Sequence, residues 1–217
     1  MIDPVEVAER VHAVRQTIEK AGGTRVALIA VTKTFGVDAI VAAREAGCDG
    51  VGENYAQELL AKIDEGIPPI DVHFIGALQS NKVRQLAGHV ALWQSVDRES
   101  VIHELGKRAS GARILLQVDT TGEPTKGGVD PSGLDALLQS AEIAGVHVDG
   151  LMTIGPTHGD RDACAKAFSL LRSLVDRYEL RTCSMGMSDD YELAVSCGST
   201  MVRVGSRLFG SRPTPAH

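Results

Sequence analysis

Eight short apolar runs, separated by longer segments of helical periodicity, constrain this sequence more than any other feature. The runs fall near residues 26–32, 48–52, 72–76, 91–96, 113–119, 146–152, 182–186 and 201–204. Helical stretches fall near 4–21, 37–46, 55–64, 80–87, 98–109, 132–144, 160–177 and 190–197. A run such as Ile114-Leu115-Leu116-Gln117-Val118 shows little alternation, as expected of a parallel strand buried on both faces. Strands alternating with helices imply right-handed βαβ units. Eight of them in 217 residues predict an α/β fold, a single (β/α)8 TIM barrel of near-minimal size preceded by an N-terminal helix. An open doubly wound sheet is the alternative.

Residues 1–210 read as one domain, and 211–217 as a disordered tail. At the start, Asp3 is placed to cap a helix, Pro4 suits its first position and Glu6 completes a capping pattern, which does not resemble a signal peptide. No apolar run approaches the eighteen or so residues of a membrane span. Cys48, Cys164, Cys183 and Cys197 form no C-x-x-C pair and read as reduced core residues, so the expected location is the cytoplasm. A net charge of -6 and an aromatic content of 4% argue against a nucleic-acid surface.

The chemistry of a barrel collects at the C-terminal ends of its strands, often with a phosphate site after strands seven and eight. Those loops are Met187-Ser188-Asp189-Asp190 and Gly205-Ser206. Ser188 offers a hydroxyl ahead of a helix, Gly205 lets the backbone approach an anion closely, and Ser206 adds a second hydroxyl. Read singly, Ser188 is an N-cap and Gly205-Ser206 a turn. Both loops in the two expected positions favour a phosphate site. Lys33 closes the first strand run, where a lysine either returns to solvent or serves as a desolvated nucleophile for an aldehyde. A lysine and two phosphate loops together suggest pyridoxal 5'-phosphate (PLP).

Arg203 lies inside the last strand run, where it is either salt-bridged or facing a ligand. Asn54 follows the second strand and reads by default as a helix cap, with a ligand contact as the alternative. His73 reads as a hydrogen-bonded barrel histidine rather than a metal ligand, and no metal site is expected. Gln79-Ser80-Asn81-Lys82 reads as the start of a helix, and Gly122–Gly128 as a flexible loop on the active face. No G-x-S-x-G elbow is present.

Several motifs then resemble one family. They are Ala30-Val31-Thr32-Lys33-Thr34, Gly52-Glu53-Asn54-Tyr55, His73-Phe74-Ile75-Gly76, Leu78-Gln79-Ser80-Asn81-Lys82, Gly150-Leu151-Met152, Met185-Gly186-Met187-Ser188-Asp189-Asp190 and Gly198–Gly205 with Phe209-Gly210. In this order they resemble the YggS/PROSC family of PLP-binding homeostasis proteins. The resemblance implies a barrel like the alanine racemase N-terminal domain, with PLP held as a Schiff base on Lys33. It implies phosphate contacts from Ser188, Gly205, Ser206 and the backbone near Met187. It also implies Arg203 opposite the pyridine nitrogen and Asn54 against the cofactor.

The implied role is to store, buffer or deliver PLP, with apo PLP enzymes as partners and no catalytic residue assigned. Three departures stand out. Thr34-Phe35-Gly36 replaces a second lysine and a proline, the segment 120–128 is atypical although Lys126 matches a common lysine, and Ser206 replaces a frequent threonine. The alternative is a weak PLP-dependent amino-acid racemase. Such enzymes take a second base, a tyrosine, from a C-terminal β-domain. Only seven residues follow Gly210, and Tyr178 and Tyr191 are expected on helices. Without that domain a monomer is expected. A barrel enzyme acting on a phosphorylated metabolite is a third reading.

Overall fold

The computed structural model describes residues 2–123, 126–157 and 160–211. The tail from 212 onward, expected to be disordered, lies outside the described residues, as does part of the loop 122–128.

The chain opens with α1 (Pro4–Lys20), whose entry follows from its first residues. Asp3 accepts a 2.9 Å hydrogen bond from Val5 N and a 3.5 Å bond from Glu6 N, and Pro4 occupies the first position. The Glu6 carboxylate pairs with Arg10 one turn on. Val7, Val11, Val14 and Ile18 recur at helical spacing and are the buried residues of α1.

Strands and helices then alternate: β1 (Ala27–Val31), α2 (Val37–Glu45), β2 (Gly50–Glu53), α3 (Ala56–Glu65), β3 (Val72–Phe74), α4 (Ser80–Leu86), β4 (Leu92–Val96) and α5 (Glu99–Arg108). After β5 (Arg113–Gln117), a 3-10 turn at Pro131–Gly133 leads into α6 (Leu134–Ala144). The series ends with β6 (His147–Met152), α7 (Arg161–Arg177), β7 (Thr182–Ser184), α8 (Tyr191–Ser196), β8 (Met201–Val204) and α9 (Ser206–Phe209). Each strand pairs in parallel with the next, and β1 closes on β8 with Ile29 opposite Arg203. The sheet is therefore the expected closed barrel rather than an open doubly wound sheet.

Helix α9 has only four residues, too few to cover the seam where β8 meets β1. Helix α1 packs against both α8 and α2, so it supplies the eighth helix of the outer ring. This explains why a helix precedes the first strand.

Two apolar layers hold the fold. The larger lies between strands and helices and includes Leu28, Trp93, Leu116 and Val202, all essentially without solvent exposure. The smaller fills the barrel interior with Ile29, Leu92, Leu115, Met152 and Met201. Truncating a fully buried leucine such as Leu116 to alanine is expected to cost about 2–5 kcal/mol. All four cysteines are free thiols, and burial pushes Cys48 and Cys183 up to about 12, which keeps them protonated. Among the described residues no helix is long and apolar enough to cross a membrane.

Candidate functional site

The C-terminal ends of β1, β2, β6, β7 and β8 surround a cavity of about 310 Å³. Lys33, Asn54, Met187, Ser188, Arg203, Gly205 and Ser206 all line it. These seven residues come from four separated stretches of sequence, and the barrel closure brings them together.

Lys33 stands two residues beyond β1, in a turn where Phe35 N donates to Thr32 O at 3.1 Å. Thr34 has a φ of 69°, a left-handed conformation that threonine rarely adopts. The Phe35 ring meets Phe209 at 5.3 Å between centroids, which ties this turn to α9.

Asn54 is not the helix cap that its residue type suggests by default. Tyr55 occupies the residue before α3, with no side-chain capping bond. Asn54 instead lines the cavity, and its Oδ1 atom is buried with no hydrogen-bond partner. A buried amide oxygen without a donor loses its hydration with no return, so it is available to any donor that enters the cavity. Its backbone is fixed by contact with Gly76. A Cβ at residue 76 would lie 2.0 Å from Asn54 O, so only glycine fits.

Ser188 is likewise not a helix cap, because Asp190 directly precedes α8. The Asp190 carboxylate accepts from Met187 N at 2.5 Å and closes the loop on itself. Gly205 N donates to Ser188 Oγ at 3.1 Å, so the hydroxyl hydrogen of Ser188 is left to donate elsewhere. Among the described residues, the N–H groups of Ser188, Asp189 and Ser206 meet no protein acceptor. The two loops thus present free donors from both sides. Gly205 precedes α9 rather than closing a simple turn, and a Cβ there would lie 3.3 Å from Val31 O.

Arg203 is buried within the barrel, and among the described residues no carboxylate pairs with it, so the salt-bridged reading is not what is seen. Its Nη1 donates to Ser184 Oγ at 2.5 Å and its Nη2 to Thr153 O at 2.8 Å. Ser184 Oγ donates to Gln94 Oε1 at 2.7 Å, and Gln94 Nε2 lies 2.7 Å from His73 Nδ1. A polar column therefore runs through the barrel beneath the cavity. Because the amide donates, His73 Nδ1 accepts and the imidazole proton sits on Nε2. Burial pushes His73 down to about 4, so it is neutral, in keeping with its reading as a barrel histidine. Burial also pushes Arg203 down to about 10, partly opposed by the charge of Asp190, and the guanidinium stays protonated at neutral pH.

The family whose description is alanine racemase, N-terminal domain, matches residues 2–213. A Pseudomonas aeruginosa protein named pyridoxal phosphate homeostasis protein is 40% identical over 215 residues, spanning 95% of this chain and 93% of its own length. This chain belongs to the pyridoxal phosphate homeostasis family. Another similar structure is that of PipY from Synechococcus elongatus, solved with PLP bound. It is 35% identical, with a TM-score of 0.81 over 94% of this chain and 100% of that one. Alanine racemase from Streptomyces lavendulae is 20% identical, with a TM-score of 0.76, and this chain spans 59% of it. That likeness is one of fold alone.

Other features of this homeostasis-family barrel were not anticipated. Phe35, Ile75, Met152 and Ile154 give the cavity apolar walls, and Asp189 adds a carboxylate at its edge. Met152 ends one recognised strand run and Ile75 stands one residue short of the end of another, so their place near the strand tips was the available signal. Lys126 does not line this cavity. It lines a neighbouring one of about 550 Å³, where its ammonium donates to Gly155 O and pairs with Glu123 at 3.2 Å. Among the described residues no group of three or more His, Cys, Asp or Glu side chains could hold a metal.

Proposed function

We propose that this chain binds PLP as a Schiff base on Lys33 and stores, buffers or delivers it without robust turnover. One observation carries the reading: the single cavity that joins Lys33 to two loops of free donors also contains a buried, unpartnered Asn54 Oδ1. When bound, PLP supplies an aldehyde that condenses with an amine, losing water as the C=N bond forms, and a ring that acts as an electron sink. PipY, from the same family, was solved with PLP bound, which supports the choice of ligand.

In this reading the Ser188 hydroxyl and the N–H groups of Ser188 and Ser206 hold the phosphate. Gly205 lets the chain approach it, and the backbone at Met187 fixes the loop. Asn54 contacts the ring substituents. Arg203 only donates, so a ring nitrogen facing it stays unprotonated, and that weakens the electron sink. No tyrosine, histidine or cysteine lines the cavity among the described residues, which supports a carrier over a two-base racemase. Residues 1–210 act as one PLP-binding domain. The protein works as a cytoplasmic monomer that supplies apo PLP enzymes.

The test is an absorption spectrum of the protein with added PLP, beside Lys33→Ala. The reading expects a yellow band that borohydride fixes to Lys33 and that the variant lacks. Two identical spectra of free PLP would overturn it. Rapid racemisation of a common amino acid by the pure protein would replace the carrier with the racemase.

A further inference from the structure

Beneath the Lys33 turn lies a buried ionic cluster that the cavity itself does not include. Lys62, on α3, has a side chain only 6% exposed. Its Nζ donates to Glu53 Oε1 at 2.6 Å, to Glu58 Oε1 at 2.6 Å and to Thr32 O at 2.9 Å. Both carboxylates reach onward to the same short segment. Glu53 Oε1 accepts from Thr32 Oγ1 at 2.6 Å, and Glu58 Oε1 accepts from Thr34 N at 2.6 Å. The residues on either side of Lys33 are thus held by three bonds from one cluster.

Burying an ammonium and a carboxylate is expensive, and well-packed apolar residues would often stabilise a fold as well. Glu53 has no solvent exposure, and its Oε2 atom has no partner. Burial raises its pKa, against the hydrogen bonds from Lys62 and Thr32. What the cluster does supply is a fixed backbone. Thr34 adopts its left-handed φ of 69°, a conformation that persists only where the surroundings enforce it, with its N–H tied to Glu58.

We infer that Lys62, Glu53 and Glu58 are positioning residues that hold Thr32 and Thr34 so that the Lys33 amine meets an incoming aldehyde in the correct orientation. The inference rests on the proposed PLP site. It separates two properties of that site: holding the phosphate and ring, which the cluster does not touch, and forming the C=N bond, which depends on where the amine stands.

The experiment compares wild type with Lys62→Met and with the charge-balanced pair Lys62→Met, Glu53→Gln. Two ligands are used: PLP, and pyridoxine 5'-phosphate, which carries an alcohol in place of the aldehyde. The expected result is a rate of Schiff-base formation lowered on the order of tenfold or more, with pyridoxine 5'-phosphate affinity unchanged. A variant with the wild-type rate, or with both ligands weakened alike, would overturn the inference. If neither variant folds, Glu58→Ala decides, since it frees Thr34 N and one Lys62 donor, leaves Lys62 on Glu53 and Thr32, and alters a side chain that is a quarter exposed. A severalfold slower rate in Glu58→Ala supports the inference and an unchanged rate sinks it. A wild-type protein that forms no Schiff base would instead remove the proposed function, and this inference with it.

Discussion

Gly205 N donates to Ser188 Oγ across 3.1 Å, and this bond joins the loop after β7 to the loop after β8. In the proposed function the two loops act as one anion cradle because of it. Ser188→Ala removes the hydroxyl donor and leaves Gly205 N without its acceptor. We expect PLP affinity to fall about tenfold, equivalent to about 1.4 kcal/mol, while the Lys33-dependent absorption band persists. Spectroscopic titration of the variant with PLP checks this.

Asn54 offers a sharper contrast. Its Oδ1 atom has no protein partner to lose, so Asn54→Ala should change the stability of the ligand-free protein by less than about 1 kcal/mol. The same variant should bind PLP severalfold more weakly. Urea unfolding without ligand, set beside a PLP titration, tests both halves.

The polar column predicts a different pattern at its centre. Gln94→Leu strands Ser184 Oγ and His73 Nδ1 inside the barrel, at an expected cost of about 2–4 kcal/mol. The loss should appear in urea unfolding without any ligand. It should also loosen Arg203, whose Nη1 rests on Ser184.

His73 makes stability depend on pH. Its folded pKa of about 4 lies below the 6.5 of an ordinary imidazole, so as pH falls the unfolded chain takes up the proton first. The His73 contribution is complete above pH 6.5 and is lost progressively down to about pH 4, with a total on the order of 3 kcal/mol. Denaturant unfolding at pH 7 and pH 4.5 should show a smaller drop in His73→Gln than in wild type.

Gly76→Ala should be disproportionately damaging for one methyl group. The new Cβ would lie 2.0 Å from Asn54 O, a backbone atom that cannot swing aside. An expected loss of several kcal/mol would register as a lowered melting temperature, together with weaker PLP binding as Asn54 is displaced.

Much of the architecture was legible because parallel barrel strands announce themselves as unbroken apolar runs. The run at 26–32 became β1 at Ala27–Val31, and the last run became β8 unchanged. Helix α9 and the turn at Pro131–Gly133 were missed, since three or four residues carry no periodicity. Residue type alone makes Asn54 a cap by default, and the family resemblance was what pointed it at a cofactor; contact with Gly76 fixes its backbone and leaves its side chain to the cavity. The polar column was illegible for a different reason. Gln94 and Ser184 stand 90 positions apart, and only closure of the barrel makes them neighbours. Lys62 and Glu58 form an i,i+4 pair of the kind that normally faces water, so nothing in their spacing revealed that the lysine is buried.

The seam between β1 and β8 joins the first strand of the chain to the last. During synthesis the Lys33 turn leaves the ribosome early, and Ser188, Arg203 and Ser206 emerge near the end. A partial chain that stops before residue 188 cannot assemble the cradle, because every one of its donors lies at Ser188 or beyond. An aldehyde meeting a nascent chain would find a lysine but no place to anchor a phosphate. Under the proposed function, capture of the ligand therefore waits until the loop after β8 has been made.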